Sequence, residues 1–146
     1  MTSLVHLARR FAASLSRRPP AAGESEWALS RLSPAEADLW QRMTVQDRRH
    51  SILVARRFVE LSVAPVEEEV AAALLHDVGK SVSGLGTFRR VLATVIGPRT
   101  TRFREYHDHQ RLGAEMLHAA GSSTVTIELV LGRGRAACAL RRADDI

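Results

Sequence analysis

Cysteine is almost missing from this chain: Cys138 stands alone among 146 residues, so no internal disulfide can form. That usage fits a reducing cytoplasm. Lysine is as scarce, since Lys80 is the only one and the other twenty of 21 basic residues are arginine. Aromatic residues make up 5%, and no interleaving of aromatic with basic residues or recognised module supports nucleic-acid binding. No apolar run approaches the ~20 residues of a membrane span. The N-terminus lacks a long apolar core of the kind that secretory leaders carry, so a cytoplasmic protein is expected. HExxH, CxxC and a serine-histidine-aspartate elbow are all absent, which leaves nucleophilic serine or cysteine catalysis without support. Gly84 and Gly86 follow no strand and read as a turn rather than a phosphate loop.

What is present suits one globular domain. The hydrophobic share is 45% and the formal charge is +5. Arginine keeps its charge at any relevant pH and forks onto phosphate. The excess therefore suits a phosphate-bearing substrate or an anionic surface, and it equally suits the codon bias of a GC-rich genome.

The apolar periodicity is helical nearly throughout, and no alternating run is long enough to force a strand. Leu4, Leu7, Phe11 and Leu15 stand at helical spacing among arginines, and residues 17–23 read as a linker. This predicts an amphipathic N-terminal helix and linker over 1–23, followed by a helical domain over 24–146. Ser33-Pro34-Ala35-Glu36 carries a capping box with proline at the first helical position. Thr44 can cap a helix that runs through His50 to about Leu61, and Pro65 with Glu67, Glu68 and Glu69 opens the next. After Gly84 and Gly86 come an apolar stretch from Phe88 to Ile96 and a closing Gly97-Pro98. Further helices are expected from about Gln110 to Ala120, from Ser122 or Ser123 to about Leu131, and from Arg135 to Asp145. The expectation is an all-α bundle of six to eight helices.

The chemistry concentrates in Ala73-Leu74-Leu75-His76-Asp77-Val78-Gly79-Lys80. An imidazole beside a carboxylate offers a metal ion one nitrogen and one oxygen ligand. His50 lies upstream, His109 downstream in His109-Gln110-Arg111-Leu112-Gly113-Ala114, and Asp144 near the C-terminal end. Two imidazoles and two carboxylates would suit Mn²⁺, Fe²⁺, Co²⁺, Ni²⁺, Zn²⁺ or Mg²⁺, with positions left open for water or phosphate oxygen.

The ordered set H…HD…H…D, with HDVGK at its centre, closely resembles the HD-domain superfamily of metal-dependent phosphohydrolases over roughly residues 45 to 146. The resemblance implies that His50, His76, Asp77 and Asp144 bind the metal. It also implies that Lys80 lies beside the site, where it could contact phosphate, while an ordinary pairing with an acidic neighbour stays open for it. Asp77, Lys80 and His109 are the residues expected in the chemistry; His109 would be a second-metal ligand or a proton donor to the leaving oxygen. Asp145 competes with Asp144, and the family's Ala-Asp pattern favours Asp144. Two departures stand out. The histidine pair that two-metal members carry would fall near Leu131 to Arg135, where none occurs, so one metal is expected unless His107 substitutes. The GYP segment of the cyclic-dinucleotide phosphodiesterase branch is also missing. Arg133 and Arg135, together with Arg89, Arg90, Arg99, Arg102 and Arg104, could replace the lost charge by binding substrate phosphate. His6 and His118 match no motif and read as structural or exposed.

The expected activity is hydrolysis of a nucleotide or another small phosphate ester by a metal-activated water. The alternative is a catalytically degenerate module of the same fold that binds a nucleotide or a protein partner. Nucleic acid and membrane are not expected as partners, although the arginine-rich N-terminal helix could touch an anionic surface; a homo-oligomer is left open.

Overall fold

A computed structural model describes residues 18–81 and 102–145, and of residues 81 and 102–108 the backbone alone. Every regular element among them is a helix: α1 (Ala22–Leu29), α2 (Pro34–Arg42), α3 (Val45–Leu61), α4 (Glu67–Leu75), the single turn α5 (Val78–Ser81), α6 (Arg102–Ala119), α7 (Thr124–Val130) and α8 (Ala137–Asp144). The all-α expectation holds.

The helix starts follow local chemistry. Ser33 Oγ accepts from the Glu36 N–H at 3.3 Å, and the Glu36 carboxylate accepts from the Ser33 N–H at 2.9 Å, a reciprocal box that satisfies two end groups of α2. Thr44 Oγ1 caps α3 through the Asp47 N–H at 3.1 Å. Ser123 Oγ does the same for α7 through the Thr126 N–H at 3.1 Å. At α4 the helix begins at Glu67, and the Glu69 carboxylate accepts from the Val66 N–H at 3.1 Å.

Two boundaries differ from the sequence reading. Ala22 and Gly23 form the first turn of α1 instead of linker, and the preceding Pro20 is already buried. Helix α6 begins at Arg102, well before the expected Gln110, because no glycine or proline interrupts residues 102–112. It ends as expected, with Gly121 at φ 75° after the last turn. The N-terminal helix, the stretch from Phe88 to Ile96 and His6 lie outside the described residues.

Helix α4 is the axis of the bundle. From Val70 to Leu75 every residue is buried, with α3 and α7 packed along it and α2 touching it. Helix α3 faces it with Ser51, Val54, Ala55 and Phe58, an i, i+3, i+4, i+7 stripe. Helix α8 lies on α3 through Ala137, Leu140 and Ala143, so the C-terminal turn is held by packing. Trp40 closes one end of the core, its indole N–H donating to Ser51 Oγ at 2.9 Å. No described helix is long and apolar enough to cross a membrane.

Candidate metal centre

Three helices bring the site together at the end of the buried axis. His76 is the residue that ends α4, so burial of that helix carries its imidazole into the bundle, where the side chain is 9% exposed. His50 projects from the edge of α3's buried stripe, and its ring centre lies 5.8 Å from that of His76. Asp144 reaches the same point from α8, 94 residues along the chain from His50. One oxygen serves both rings: Asp144 Oδ1 is 3.0 Å from His50 Nε2 and 3.4 Å from His76 Nε2. One ligand atom from each of His50, His76 and Asp144 fits within 4.8 Å of the others. Ligand atoms held ~2.1 Å from a common ion at tetrahedral or octahedral angles stand ~3.0–3.4 Å apart, and both distances from Asp144 Oδ1 fall in that range.

The donor chemistry fits as well. His76 Nδ1 donates to the Ala73 carbonyl at 2.8 Å, which fixes the tautomer and leaves Nε2 with its lone pair turned to the site. That Nε2 is buried and makes no hydrogen bond. A buried polar atom without a hydrogen bond is uncommon, and a metal ion is one of its standard explanations. Burial pulls the His76 pKa down, but the Asp144 and Asp77 carboxylates and the bond to Ala73 outweigh it, so the net shift is upward. The Asp144 carboxyl is held far below the usual carboxylate range, chiefly by its hydrogen bond from His50 and then by His76, against the opposing effect of burial. Both shifts express one demand, positive charge at the centre of the cluster.

Asp77 stands at the edge of this triad. Its Oδ2 lies 3.5 Å from His76 Nε2, and its Oδ1 pairs with Lys80 Nζ at 2.8 Å. Lys80 pairs with its acidic neighbour and lines the cleft beside the site. His109 lines the same cleft from α6. The glycines of the two motifs explain that meeting. A methyl on Gly79 would lie 2.1 Å from the His109 carbonyl oxygen and 2.8 Å from Gly113 N, so α5 and α6 touch backbone to backbone.

Other expectations resolve differently. Asp145 caps α8 and is exposed, so Asp144 is the carboxylate in the cluster. Arg133 and Arg135 do not serve the cleft. Arg135 forks onto the buried Glu69 at 2.7 and 3.1 Å, and Arg133 pairs with Glu128 at 3.7 Å. His118 is exposed on α6, while the side chains of His107, Arg102 and Arg104 and all of Arg89, Arg90 and Arg99 lie outside the described residues. The sequence reading missed Gln110 and Arg141, which line the cleft, and the carbonyl of Ala73. The available signal was spacing: Arg141 precedes Asp144 by one helical turn, and Ala73 precedes His76 likewise.

The structure is thus an α-helical bundle that gathers two imidazoles and a carboxylate from three helices into a candidate metal site, with one imidazole nitrogen buried and without a hydrogen bond. The family model for the HD domain matches residues 48–137, and the chain belongs to that family, within the superfamily of metal-dependent phosphohydrolases. The matched span includes His50, His76, Asp77, Lys80 and His109 and ends before Asp144. No curated protein and no solved structure matches the chain.

Proposed function

We propose that this protein is a metal-dependent phosphohydrolase acting on a nucleotide or another small phosphate ester. The observation that carries the reading is His76 Nε2, buried and without a hydrogen bond, its ring locked by Ala73 and facing Asp144 Oδ1 at 3.4 Å. His50, His76 and Asp144 would hold one divalent ion (Mn, Fe, Co, Ni, Zn or Mg), with Asp77 alongside. When bound, such an ion polarises a phosphoryl oxygen and lowers the pKa of water, so that hydroxide is available near neutrality.

The chain's own residues supply the rest. Asp144 keeps its negative charge across the physiological range and so stays a ligand. Lys80 holds Asp77 in place and stands at the rim of the cleft, where its ammonium offsets phosphate charge. His109, which lines the cleft from α6, is suited to give a proton to the leaving oxygen. A degenerate module would have a splayed cluster or one filled by arginine; ligand atoms within 4.8 Å of one another argue for the working site.

The test is elemental analysis of protein purified without chelator or nickel resin. About one Mn, Fe, Co or Zn per chain, lost in His76→Ala, is the expected result, followed by phosphoester hydrolysis with that ion. A protein that carries no metal and takes up none on titration refutes the proposal.

A further inference from the structure

The described wall of the cleft carries two fixed cations, Lys80 and Arg141, and two carboxylates, Asp77 and Asp144. Three of these four are committed. Lys80 and Asp77 pair at 2.8 Å, and Asp144 is shared between His50 and His76. Arg141 makes no side-chain hydrogen bond or ion pair with the described residues. An exposed arginine without a partner is ordinary by itself. This one differs through its position. Ala137, Leu140, Arg141 and Asp144 all line the cleft, which is an i, i+3, i+4, i+7 stripe, so the same face of α8 that presents Asp144 presents the guanidinium one turn away. Arg111, Arg133 and Arg135 pair with Glu115, Glu128 and Glu69, and Arg142, equally without a pair among the described residues, does not line the cleft.

We infer that Arg141 anchors the phosphate of the substrate, and that the cleft takes a terminal phosphate, a phosphomonoester dianion, in preference to a phosphodiester. The first part follows from chemistry as well as place. A guanidinium presents a planar fork of donors that matches phosphate oxygens and stays charged at every relevant pH. The second follows from charge. The two cations and the two carboxylates of the described wall cancel, so with a divalent ion that wall is dipositive, and a phosphomonoester dianion neutralises it where a diester monoanion does not. Gln110, which lines the cleft from α6, can donate to the same phosphate through its amide. This assignment rests on the phosphohydrolase reading for the identity of the ligand but not for its test.

The experiment is calorimetric binding of inorganic phosphate and of dimethyl phosphate near pH 7.5, with and without saturating Mn²⁺. It compares the unaltered protein with Arg141→Gln, Arg141→Lys and, as a control off the cleft, Arg142→Gln. Mn²⁺ affinity should be the same in all four proteins, because Arg141 contributes no ligand. Arg141→Gln should weaken inorganic phosphate by about 10- to 100-fold, the range of one charge-assisted forked contact, with Arg141→Lys between and Arg142→Gln unchanged. The unaltered protein should prefer inorganic phosphate to dimethyl phosphate by at least about tenfold. Phosphate binding that is equal in Arg141→Gln and the unaltered protein, or absent from both, overturns the anchor. Equal binding of the two probes overturns the monoester preference. Loss of Mn²⁺ binding in the unaltered protein counts against the phosphohydrolase reading instead, and the metal-free titrations then decide Arg141 alone.

Discussion

Replacing Gly79 by alanine puts the backbone contact between the two signature segments under direct test. The added methyl would stand 2.1 Å from the His109 carbonyl oxygen, 2.8 Å from Gly113 N and 3.1 Å from His109 C. All three are backbone atoms, so no side-chain rotation relieves the clash. Bringing the shortest contact to an ordinary distance requires α5 and α6 to part by roughly 1 Å, a displacement that well-packed interiors resist. Overpacking of this kind costs about 1–3 kcal/mol, and a clash with rigid backbone belongs at the upper end. For a chain of this size that corresponds to a fall in Tm of roughly 3–10 °C. The change also has a functional reading, because the same displacement moves His109 away from His76 and Asp77. Thermal unfolding by circular dichroism and Mn²⁺ titration would be run on three variants together. Gly113→Ala brings a methyl to 3.3 Å from Gly79 N and from Val78 Cγ1, so a shift of a few tenths of an ångström suffices and the loss should be smaller. Gly23→Ala meets nothing within 4 Å and should be neutral or gain a few tenths of a kcal/mol from helix propensity. If Gly79→Ala melts with the unaltered protein and binds Mn²⁺ equally well, the glycines do not hold the two segments together and the explanation fails.

Three further outcomes follow from particular contacts. Asp144→Asn removes the charge shared by His50 and His76 and should weaken Mn²⁺ binding by at least about tenfold while leaving the helical circular dichroism intact; unchanged affinity in a metal titration would remove Asp144 from the site. Burial raises the Glu69 pKa, but the Arg135 hydrogen bond and charge and the Val66 N–H outweigh it, so the folded value lies below the unfolded one. The unfolded chain then binds more protons as pH falls, and the stability from this group, present above the unfolded pKa, is lost as pH drops through the folded one. Urea midpoints measured from about pH 7 to pH 3 should fall less steeply in Arg135→Gln, and parallel curves would count against this coupling. Ser51→Ala strands the buried Trp40 indole N–H, now bonded at 2.9 Å, and should cost about 1–3 kcal/mol in urea unfolding; a cost below ~0.5 kcal/mol would mean the bond contributes little.

Helix ends were the most legible part of the chain. Ser33, Thr44 and Ser123 cap through bonds to residues three positions on, and such local chemistry needs no knowledge of the fold. The motif residues were legible in the same sense, since His76, Asp77 and Lys80 are neighbours in the chain and pair with one another in the structure. The start of α6 was not, because Arg102 to His109 lacks an apolar stripe regular enough to signal a helix before Gln110.

The sequence by itself determined which residue types could bind a cation, the helical class and the family, because periodicity, capping and motif order are properties of short stretches. Only the tertiary structure decided which carboxylate joins the imidazoles, since Asp144 and Asp145 are adjacent in the chain but only Asp144 joins the cluster. It also decided that Arg135 neutralises Glu69 while Arg141 lines the cleft, and that the two signature glycines exist to meet each other. Each of these depends on how α8 lies on α3 and how α5 crosses α6. Those angles are set by buried side chains from distant parts of the chain, and no local stretch encodes them.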